Sequence, residues 1–405
     1  MQILPILSTL RRHRTAAALI VLEIALTCAI ICNAVFLIGE RLGRMNQDSG
    51  VVEDEILRIQ LTGIGRDSNP QALTTEDLAV LRGVPGVKSA ATANMIPFGN
   101  SSWNSSVDLE PNQMHQTLSS ATYIGSEDLL ETFGLRLVAG RDFTPEEYID
   151  FESWQSSKAN TPSIIITRGM AEKLYPGQNA IGKVLYMGDD PIRVVGIIDT
   201  VVRPNQVNGI DQAGYAALLP VKIPYTVGGN YVLRVDPDRR SEVLTAAVAA
   251  LEKNNPNRII LEKQTFEEIR SNYFRQDRSM AWLLVGVSAG LLIITALGIV
   301  GLASFWVQQR TRQIGIRRAL GATRRQILRY FQTENFLLAT FGIILGMVMA
   351  YGINLLLMDR YELPRLPAMF LPLGAVVLWG LGQLAVLGPA MRAAAVPPAV
   401  ATRTV

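Results

Sequence analysis

The stretch MAWLLVGVSAGLLIITALGIVGLASFWV, residues 280–307, contains no charged side chain. A helix needs about 20 apolar residues to cross a bilayer, whereas buried helices of soluble proteins have apolar runs of about 10–14. The stretch is therefore predicted to be a transmembrane helix. Trp282 and Trp306 lie near its two ends, and we expect both indoles at the membrane interfaces, which they favour.

Three further apolar runs of similar length lie at residues 15–38, 335–358 and 368–387. The first is longer than the apolar region of a signal peptide and has no small-residue cleavage site behind it. We therefore interpret it as a retained anchor. The predicted fold class is an α-helical membrane protein with four transmembrane helices, one before and three after an inserted segment.

Arginine is concentrated on one side of the predicted membrane helices. Cytoplasmic loops carry an excess of Lys and Arg near the ends of the spans. Three arginines precede the first run and seven lie between the second and third: Arg11, Arg12, Arg14, Arg310, Arg312, Arg317, Arg318, Arg324, Arg325 and Arg329. We therefore predict cytoplasmic termini and a segment outside the membrane. The predicted domains are residues 1–39, 40–279 (outside) and 280–405, the last with a cytoplasmic loop at 308–333.

The outside segment mixes short strand-like and helix-like stretches. EILRIQL at 55–61 alternates apolar and polar residues as a half-buried strand does, and SIIIT at 163–167 is followed by the helix-like RGMAEKLYPG. Helix caps are predicted at Thr74 or Thr75 and at Ser126. This mixture predicts that the inserted segment is an α+β domain.

The outside segment also contains a partial phosphate-binding motif, YPGQNAIGKVLY at 175–186. Gly177, Gly182 and Lys183 match G-x-x-x-x-G-K, but Val184 stands where the motif needs a Ser or Thr hydroxyl for Mg²⁺. A working loop follows a strand and opens a helix, so that backbone N–H groups face the phosphates. Here a helix-like stretch comes first and a strand-like stretch second, which predicts a turn without nucleotide.

Few residues of the chain can support catalysis or hold a metal. The two histidines are His13 and His115, and the two cysteines, Cys28 and Cys32, lie in the first apolar run. Because metal sites need several such ligands, we predict no metal, no bound cofactor and no catalytic residues. The net charge of +3 is too small to indicate binding of nucleic acid.

Two acidic residues lie within or at the mouth of predicted spans, where ionisable groups are costly and mark functional positions. For Glu23 and Glu334 we predict a polar contact inside the helix bundle, and the alternatives are an interfacial position or a proton-linked role. Two glycine pairs have the spacing that lets membrane helices approach closely: Gly286 with Gly290, and Gly342 with Gly346.

The loop between the second and third runs has local structure of its own. A short helix is predicted over 310–320, a break at Gly321, and a new helix whose N-terminus Thr323 and Gln326 cap reciprocally. Four aliphatic residues are expected to supply apolar contacts: Ile314, Ile316, Leu320 and Ile327. The arginines could bind anionic lipid headgroups or a cytoplasmic partner, and their spacing leaves both open.

In this loop, RTRQIGIRRALGATRRQI at 310–327 resembles the segment R-x-x-E-I-G-I-x-x-A-L-G-A of FtsX-like, MacB-type ABC transporter permeases. Glu334 matches a Glu of that family, and PAMRAAAVPPAVA at 389–401 resembles its C-terminal segment. LETFGLRLVAGRDFT at 130–144, with YPGQNAIGKVLY, VPGV and RVVGIIDTV, resembles the MacB-type extracytoplasmic domain. Gln313 departs from the pattern, because the family usually has Glu there.

The resemblance implies a permease that lacks a nucleotide-binding domain of its own and is not an enzyme. ATP and Mg²⁺ would bind to a separate cytoplasmic ABC ATPase, and the short helix would dock to it. The residues implied in this coupling are Arg312, Ile314, Gly315, Ile316, Arg317, Arg318, Ala319, Leu320 and Gly321. ATP-driven closure would be passed through the membrane helices to the outside domain, for export of antibiotics, peptides or similar compounds.

The resemblance also implies a bacterial inner-membrane protein that pairs with a second copy or a paralogous permease. A periplasmic adaptor with an outer-membrane channel, and membrane lipids, are further implied partners. Two other functions are open: regulation of a cell-wall hydrolase by the outside domain, and extraction of lipoproteins. A membrane-anchored enzyme is a third hypothesis, and the lack of a catalytic set counts against it.

Overall fold

The computed structural model describes residues 14–65, 68–111, 113–204, 214–361 and 365–395. Arg11, Arg12 and His13, and the end of the C-terminal motif from residue 396 onward, lie outside the described residues. The chain forms two compact units, one of residues Asn46–Arg275 and one that joins the N-terminal segment to Gln276–Val405.

One unit is helical and the other mixes helices with strands. In chain order the helices are α1 (Arg14–Met45), α2 (Pro70–Arg82), α3 (Leu129–Phe133), α4 (Phe151–Gln155), α5 (Arg168–Leu174), α6 (Arg240–Asn254), α7 (Phe266–Tyr273), α8 (Arg275–Gln309), α9 (Thr311–Ala319), α10 (Arg324–Tyr361) and α11 (Phe370–Ala395). The strands are β1 (Ile56–Gly63), β2 (Val87–Ala93), β3 (Asn104–Val107), β4 (Leu118–Ile124), β5 (Leu137–Gly140), β6 (Ile149–Asp150), β7 (Ser163–Thr167), β8 (Val184–Met187), β9 (Asp190–Ile198), β10 (Ala216–Leu219), β11 (Val221–Lys222), β12 (Asn230–Val235) and β13 (Arg258–Thr265).

Among the described residues, four helices are long and apolar enough to cross a bilayer, namely α1, α8, α10 over Arg324–Leu356, and α11. One precedes the α+β unit and three follow it, so the predicted fold class is confirmed. Trp282 is exposed on α8, as expected of an interfacial indole, but Trp306 is buried in the bundle rather than at its surface. The length and polarity of the apolar runs thus predicted the spans, but not which indoles the other helices cover.

The core of the helical unit lies between α1, α10 and α11. Gly342 and Gly346 of α10 permit its close approach to α1. A Cβ atom at Gly346 would lie 2.5 Å from the Cβ of Cys28, and one at Gly342 would lie 2.8 Å from Ile24. Cys28 and Cys32 are free thiols on one face of α1, and both are buried in this core. They act here as small apolar residues.

Helix α8 packs less extensively than the other three. Thr27 of α1 and Thr295 of α8 share a buried hydrogen bond of 2.8 Å between their hydroxyl oxygens. In the N-terminal half of α8, a Cβ atom at Gly286 or Gly290 would meet no atom within 4 Å. Among the described residues, this predicted small-residue pair therefore contacts no other helix, unlike Gly342 and Gly346.

The described part of the α+β unit contains two large sheets with separate cores and a short parallel pair formed by β6 and β11. The first is antiparallel, in the order β13-β1-β12-β2, and α2 and α6 cover its apolar face. EILRIQL forms β1 as predicted, but the strand is central and buried on both faces, so the expected half-buried pattern is wrong. Arg58 is tolerated there because its guanidinium binds Asn230 and Glu262.

The second sheet is mixed, in the order β3-β4-β10-β7-β9-β5, with β8 paired to β9. Parallel pairs join β4 to β10 and β7 to β9, and the other neighbours are antiparallel. SIIIT forms β7, and Ile164 and Ile166 pack in the core of this sheet with Val194, Leu185 and Met170 of α5. The unit is therefore α+β, as predicted from the short alternating stretches.

Two predicted helix caps are wrong. Asn69 caps α2 instead of Thr74 or Thr75, because its side chain accepts from the Ala72 N–H at 3.0 Å and Pro70 suits the first turn. Thr74 lies inside α2, where its hydroxyl accepts from the Tyr225 N–H. Ser126 does not cap α3 either, because its hydroxyl accepts from the Thr92 N–H in a neighbouring strand.

A buried polar cluster centred on Asp77 joins α2 to the first sheet. The Asp77 carboxylate is 1% exposed and forms an ion pair with Arg258, which is also buried. Tyr231 donates its hydroxyl to Asp77 at 2.7 Å, and Asn254 donates its amide at 3.1 Å. Burial and the nearby carboxylate raise the pKa of Tyr231, so the phenol keeps its proton and remains a donor.

We expect Asp77→Ala to destabilise the unit by about 3–5 kcal/mol, because it leaves the buried Arg258 guanidinium without its counter-ion. Thermal unfolding of the detergent-solubilised protein measures the effect. Glu242→Ala is the control, since Glu242 forms its ion pair with Arg239 on the surface. Equal unfolding temperatures for the Asp77 variant and the wild type would contradict this prediction.

Candidate functional site

The basic loop between α8 and α10 folds as the sequence predicts. Helix α9 ends at Ala319, and Gly321 follows with φ = +93°, a left-handed conformation that favours glycine. The Thr323 N–H donates to Gln326 Oε1 at 2.8 Å, and the Gln326 N–H donates to Thr323 Oγ1 at 3.3 Å. This reciprocal capping starts α10 directly after the break.

A buried ion pair ties the end of α8 to α10. Arg310 Nη1 donates to both oxygens of the Glu334 carboxylate, at 3.0 and 2.8 Å. Arg310 is 8% exposed and Glu334 is 1% exposed, and the guanidinium also lies 5.6 Å from the Trp306 ring centroid. The sequence singled out both residues but did not pair them, because they are far apart along the chain and on different helices.

The inner face of helix α9 packs on apolar residues of α10 and α11. Ile314 and Gly315 are the buried residues of α9, and Ile314 packs with Ile327 and Phe331. Arg318 Nη1 donates to the carbonyl oxygen of Ala394 in α11 at 2.8 Å. The inner face of α9 is therefore held by apolar contact and by a hydrogen bond.

The outer face of α9 carries exposed apolar and basic side chains. Leu320 is 84% exposed and Ile316 is 45% exposed. Arg312, Arg317, Ala319 and Gly321 are exposed as well, and the Arg317 guanidinium lies 5.0 Å from the Tyr330 ring centroid. Of the four residues predicted to make apolar contacts, Ile314 and Ile327 pack in the core beneath α9, whereas Ile316 and Leu320 stay exposed in the described part of the chain. The result is a mixed patch that can accept a protein partner.

Glu23 is not part of the ion pair between Arg310 and Glu334. Its carboxylate lies against α8, where a Cβ atom at Gly298 would be 2.5 Å from Glu23 Oε2. It forms no hydrogen bond or ion pair with any described residue. The polar contact predicted for Glu23 is thus not made within the described part of the chain, whereas that of Glu334 is made with Arg310.

The partial phosphate motif forms a turn between a helix and a strand. Helix α5 ends at Leu174, Gly177 and Gly182 have φ values of +70° and +81°, and β8 begins at Val184. Lys183 Nζ donates to Gln178 Oε1 at 3.0 Å. The order is the reverse of a phosphate-binding loop, as predicted. In the described ranges, no group of three or more His, Cys, Asp or Glu could hold a metal.

Comparison with known families gives two matches. The family model of the MacB-like periplasmic core domain matches residues 18–252, and that of the FtsX-like permease C-terminal region matches residues 285–398. The segment RTRQIGIRRALGATRRQI, including α9, lies within the second match.

Similar curated proteins include two from Bacillus subtilis (strain 168). The uncharacterized ABC transporter permease YvrN is 26% identical over 288 residues, 68% of each chain. The uncharacterized ABC transporter permease YknZ is 23% identical over 346 residues, 83% of this chain and 81% of that protein. The macrolide export ATP-binding/permease protein MacB of Shewanella sp. (strain ANA-3) is 27% identical over 218 residues, and this chain spans 32% of its length.

Solved structures with some likeness cover the α+β region. The extracellular domain of the ABC-type transporter YknZ from Gram-positive bacteria is 18% identical, covers 51% of this chain and 100% of that chain, and has a TM-score of 0.32. The periplasmic region of MacB from Actinobacillus actinomycetemcomitans is 14% identical, covers 56% and 97%, and has a TM-score of 0.34.

The family assignment rests on the two family models. The MacB-like core domain model alone matches more than half of the 405 residues, and together the two models leave no stretch of this chain long enough for a nucleotide-binding domain. With its four apolar helices and its α+β unit, this multi-pass membrane chain belongs to the FtsX-like ABC transporter permeases with a MacB-like periplasmic core domain.

Proposed function

We propose that this permease couples ATP hydrolysis by a separate cytoplasmic ABC ATPase to movement of its extracytoplasmic domain. The observation that carries the proposal is the patch on α9, where Ile316 and Leu320 remain exposed beside arginines. Helix α9 itself is anchored to α10 and α11 through Ile314 and Arg318. Force applied by a partner to the patch would therefore be passed to these membrane helices. ATP and Mg²⁺ would be held by the ATPase.

The α+β unit has a matching anchor where the chain arrives from α1 and departs into α8. Arg270 of α7 donates to the Gln47 carbonyl oxygen at 2.7 Å and forms an ion pair with Glu53. Its guanidinium lies 5.1 Å from the Phe98 ring centroid. Helix α1 ends at Met45, two residues before Gln47, and α7 is followed by α8. This cluster therefore joins the segment that follows α1 to the helix that precedes α8. It supports mechanical transmission to the domain.

The proposed orientation places α9, both termini and the ATPase in the cytoplasm, and the α+β unit outside the inner membrane of a bacterium. The arginines of the loop support this orientation by the positive-inside rule. A second copy or a paralogous permease is proposed to complete the assembly. The open glycine pair on α8, Gly286 and Gly290, supports close approach of another helix.

Export is the proposed direction of transport, for antibiotics, peptides or similar compounds, with a periplasmic adaptor and an outer-membrane channel as further partners. The support is the similarity to proteins named for macrolide export, of which this chain spans only about a third. Recovery of a cell-wall hydrolase or a lipoprotein with the purified complex would favour regulation or extraction instead.

ATPase assays in lipid nanodiscs test the coupling proposal. We expect no ATP hydrolysis by the purified chain alone, and hydrolysis when the ABC ATPase that co-purifies from native membranes is added. The hydrolysis should respond to the permease, so the ATPase alone is the matched control. Hydrolysis by the chain without any partner would contradict the proposal.

A further inference from the structure

A pocket of about 230 Å³ lies between α9 and the beginning of α10. Five of its lining residues carry hydrogen-bond donors: Arg310, Gln313, Arg317, Gln326 and Tyr330. Among the described residues that line it there is no carboxylate. The pocket is therefore rich in donors and positive charge, which suits an anion and excludes a metal cation.

Arg310 has donor capacity that the protein leaves unused. Its Nη1 donates to both oxygens of Glu334, but its Nη2 is buried and has no hydrogen-bond partner among the described residues. Buried donors are almost always paired in folded proteins, so an unpaired one calls for an acceptor. Arg310 is among the residues that line the pocket and Glu334 is not, so an acceptor bound in the pocket would lie next to this guanidinium.

Arg317 supplies the second guanidinium. Its guanidinium carbon lies 5.0 Å from the Tyr330 ring centroid, and it forms no hydrogen bond or ion pair with a described residue. Guanidinium groups bind phosphate and carboxylate oxygens through paired N–H donors. Gln313 contributes a neutral amide to the lining of the same pocket, so α9 places no carboxylate there to neutralise the two guanidinium groups.

The apolar side chains that line the pocket restrict the kinds of anion that it can bind favourably. Ile314, Ile327 and Phe331 line one side of the same pocket. A fully hydrated ion gains nothing from this wall, whereas the glycerol part of a phosphoester can pack on it. The loop also directly precedes the apolar part of α10, and clusters of arginine at such positions attract anionic headgroups.

We propose that this pocket binds a phosphate group, from an anionic glycerophospholipid headgroup or from free phosphate. Arg310 Nη2 and Arg317 donate to the phosphate oxygens, and the side-chain amides of Gln313 and Gln326 line the same pocket. This inference is distinct from the ATPase proposal, because the pocket between α9 and α10 is lined by neither Ile316 nor Leu320. Arg317 is exposed and borders both the pocket and the patch.

Two probes distinguish the two sources of phosphate. Native mass spectrometry of the full-length protein, purified in mild detergent, counts retained phosphatidylglycerol, and titration of the delipidated protein with inorganic phosphate measures binding of the free anion. We expect Arg317→Gln to reduce binding of the relevant probe by about tenfold or more. Gln313→Glu should do the same, because it places a competing carboxylate in the pocket.

Matched controls carry the same charge change outside the pocket. Arg325→Gln and Gln309→Glu alter exposed residues of the same loop that do not line it, and both should bind as the wild type does. Phosphatidylglycerol retention lost in the pocket variants assigns a lipid, and loss of phosphate binding alone assigns the free anion. The proposal is overturned if Arg317→Gln and Arg325→Gln behave alike with both probes. It is also overturned if Arg317→Gln weakens only the binding of a protein partner.

Discussion

Replacing Leu320 with aspartate is expected to abolish binding of the partner ATPase and leave the permease folded in the membrane. Leu320 is 84% exposed, so its replacement removes little packing within the chain. Burial of a leucine side chain in a partner contributes about 1.5–3 kcal/mol, and an unpaired charge in its place adds a desolvation cost. The affinity should therefore fall by well over about tenfold.

Co-purification and surface-binding measurements with the ATPase test this prediction. Leu320→Met is the conservative variant and should retain binding, because it preserves an apolar side chain of similar volume. Leu261→Asp is a matched control, since Leu261 is an exposed leucine of β13 in the α+β unit. If the Leu320→Asp variant bound the ATPase with wild-type affinity, α9 would not be the docking point.

Glu334→Leu is expected to destabilise the end of the helical unit that carries α9 by about 3–5 kcal/mol, because it leaves the buried Arg310 guanidinium without a carboxylate. The loss should loosen α9 from α10, since Arg310 immediately precedes α9. Thermal unfolding in detergent reports the stability, and trypsin cleavage at the arginines of α9 reports the loosening. The unfolding temperature should fall and the rate of trypsin cleavage should rise.

The double variant Arg310→Met with Glu334→Leu is the control for this experiment. Replacement of a whole buried ion pair by apolar residues of similar volume is often neutral or stabilising, whereas removal of one partner is costly. The double variant should therefore recover most of the stability lost in the single variant. If both were equally unstable, packing and not charge pairing would explain the effect.

Hydropathy predicted the membrane part of the fold well because length and polarity are local properties of the chain. The four apolar runs correspond to α1, α8, α10 and α11. The break at Gly321 and the cap formed by Thr323 and Gln326 were also predictable, since a positive φ and a reciprocal cap depend on neighbouring residues only. The same local logic identified the turn at Gly177 and Gly182.

Prediction from sequence was wrong where a side chain has a distant partner. Ser126 is a residue type that favours helix caps, but its hydroxyl accepts from the Thr92 N–H in β2. The alternation in EILRIQL predicts a half-buried strand, but α7 packs against β1 and Arg58 pairs with Glu262, which buries the polar face as well. Both outcomes depend on contacts between residues far apart in the chain.

The sequence by itself determined the class of this protein: four membrane helices, an inserted α+β domain, and a basic loop with the pattern of a permease family. Only the tertiary structure decided which residues of that loop act together. The rotation of α9 on α10 and α11 buries Ile314 and exposes Leu320, and it brings Arg310 against Glu334. Helix periodicity specifies which side chains share a face, but the face that turns inward is chosen by packing against helices distant in sequence.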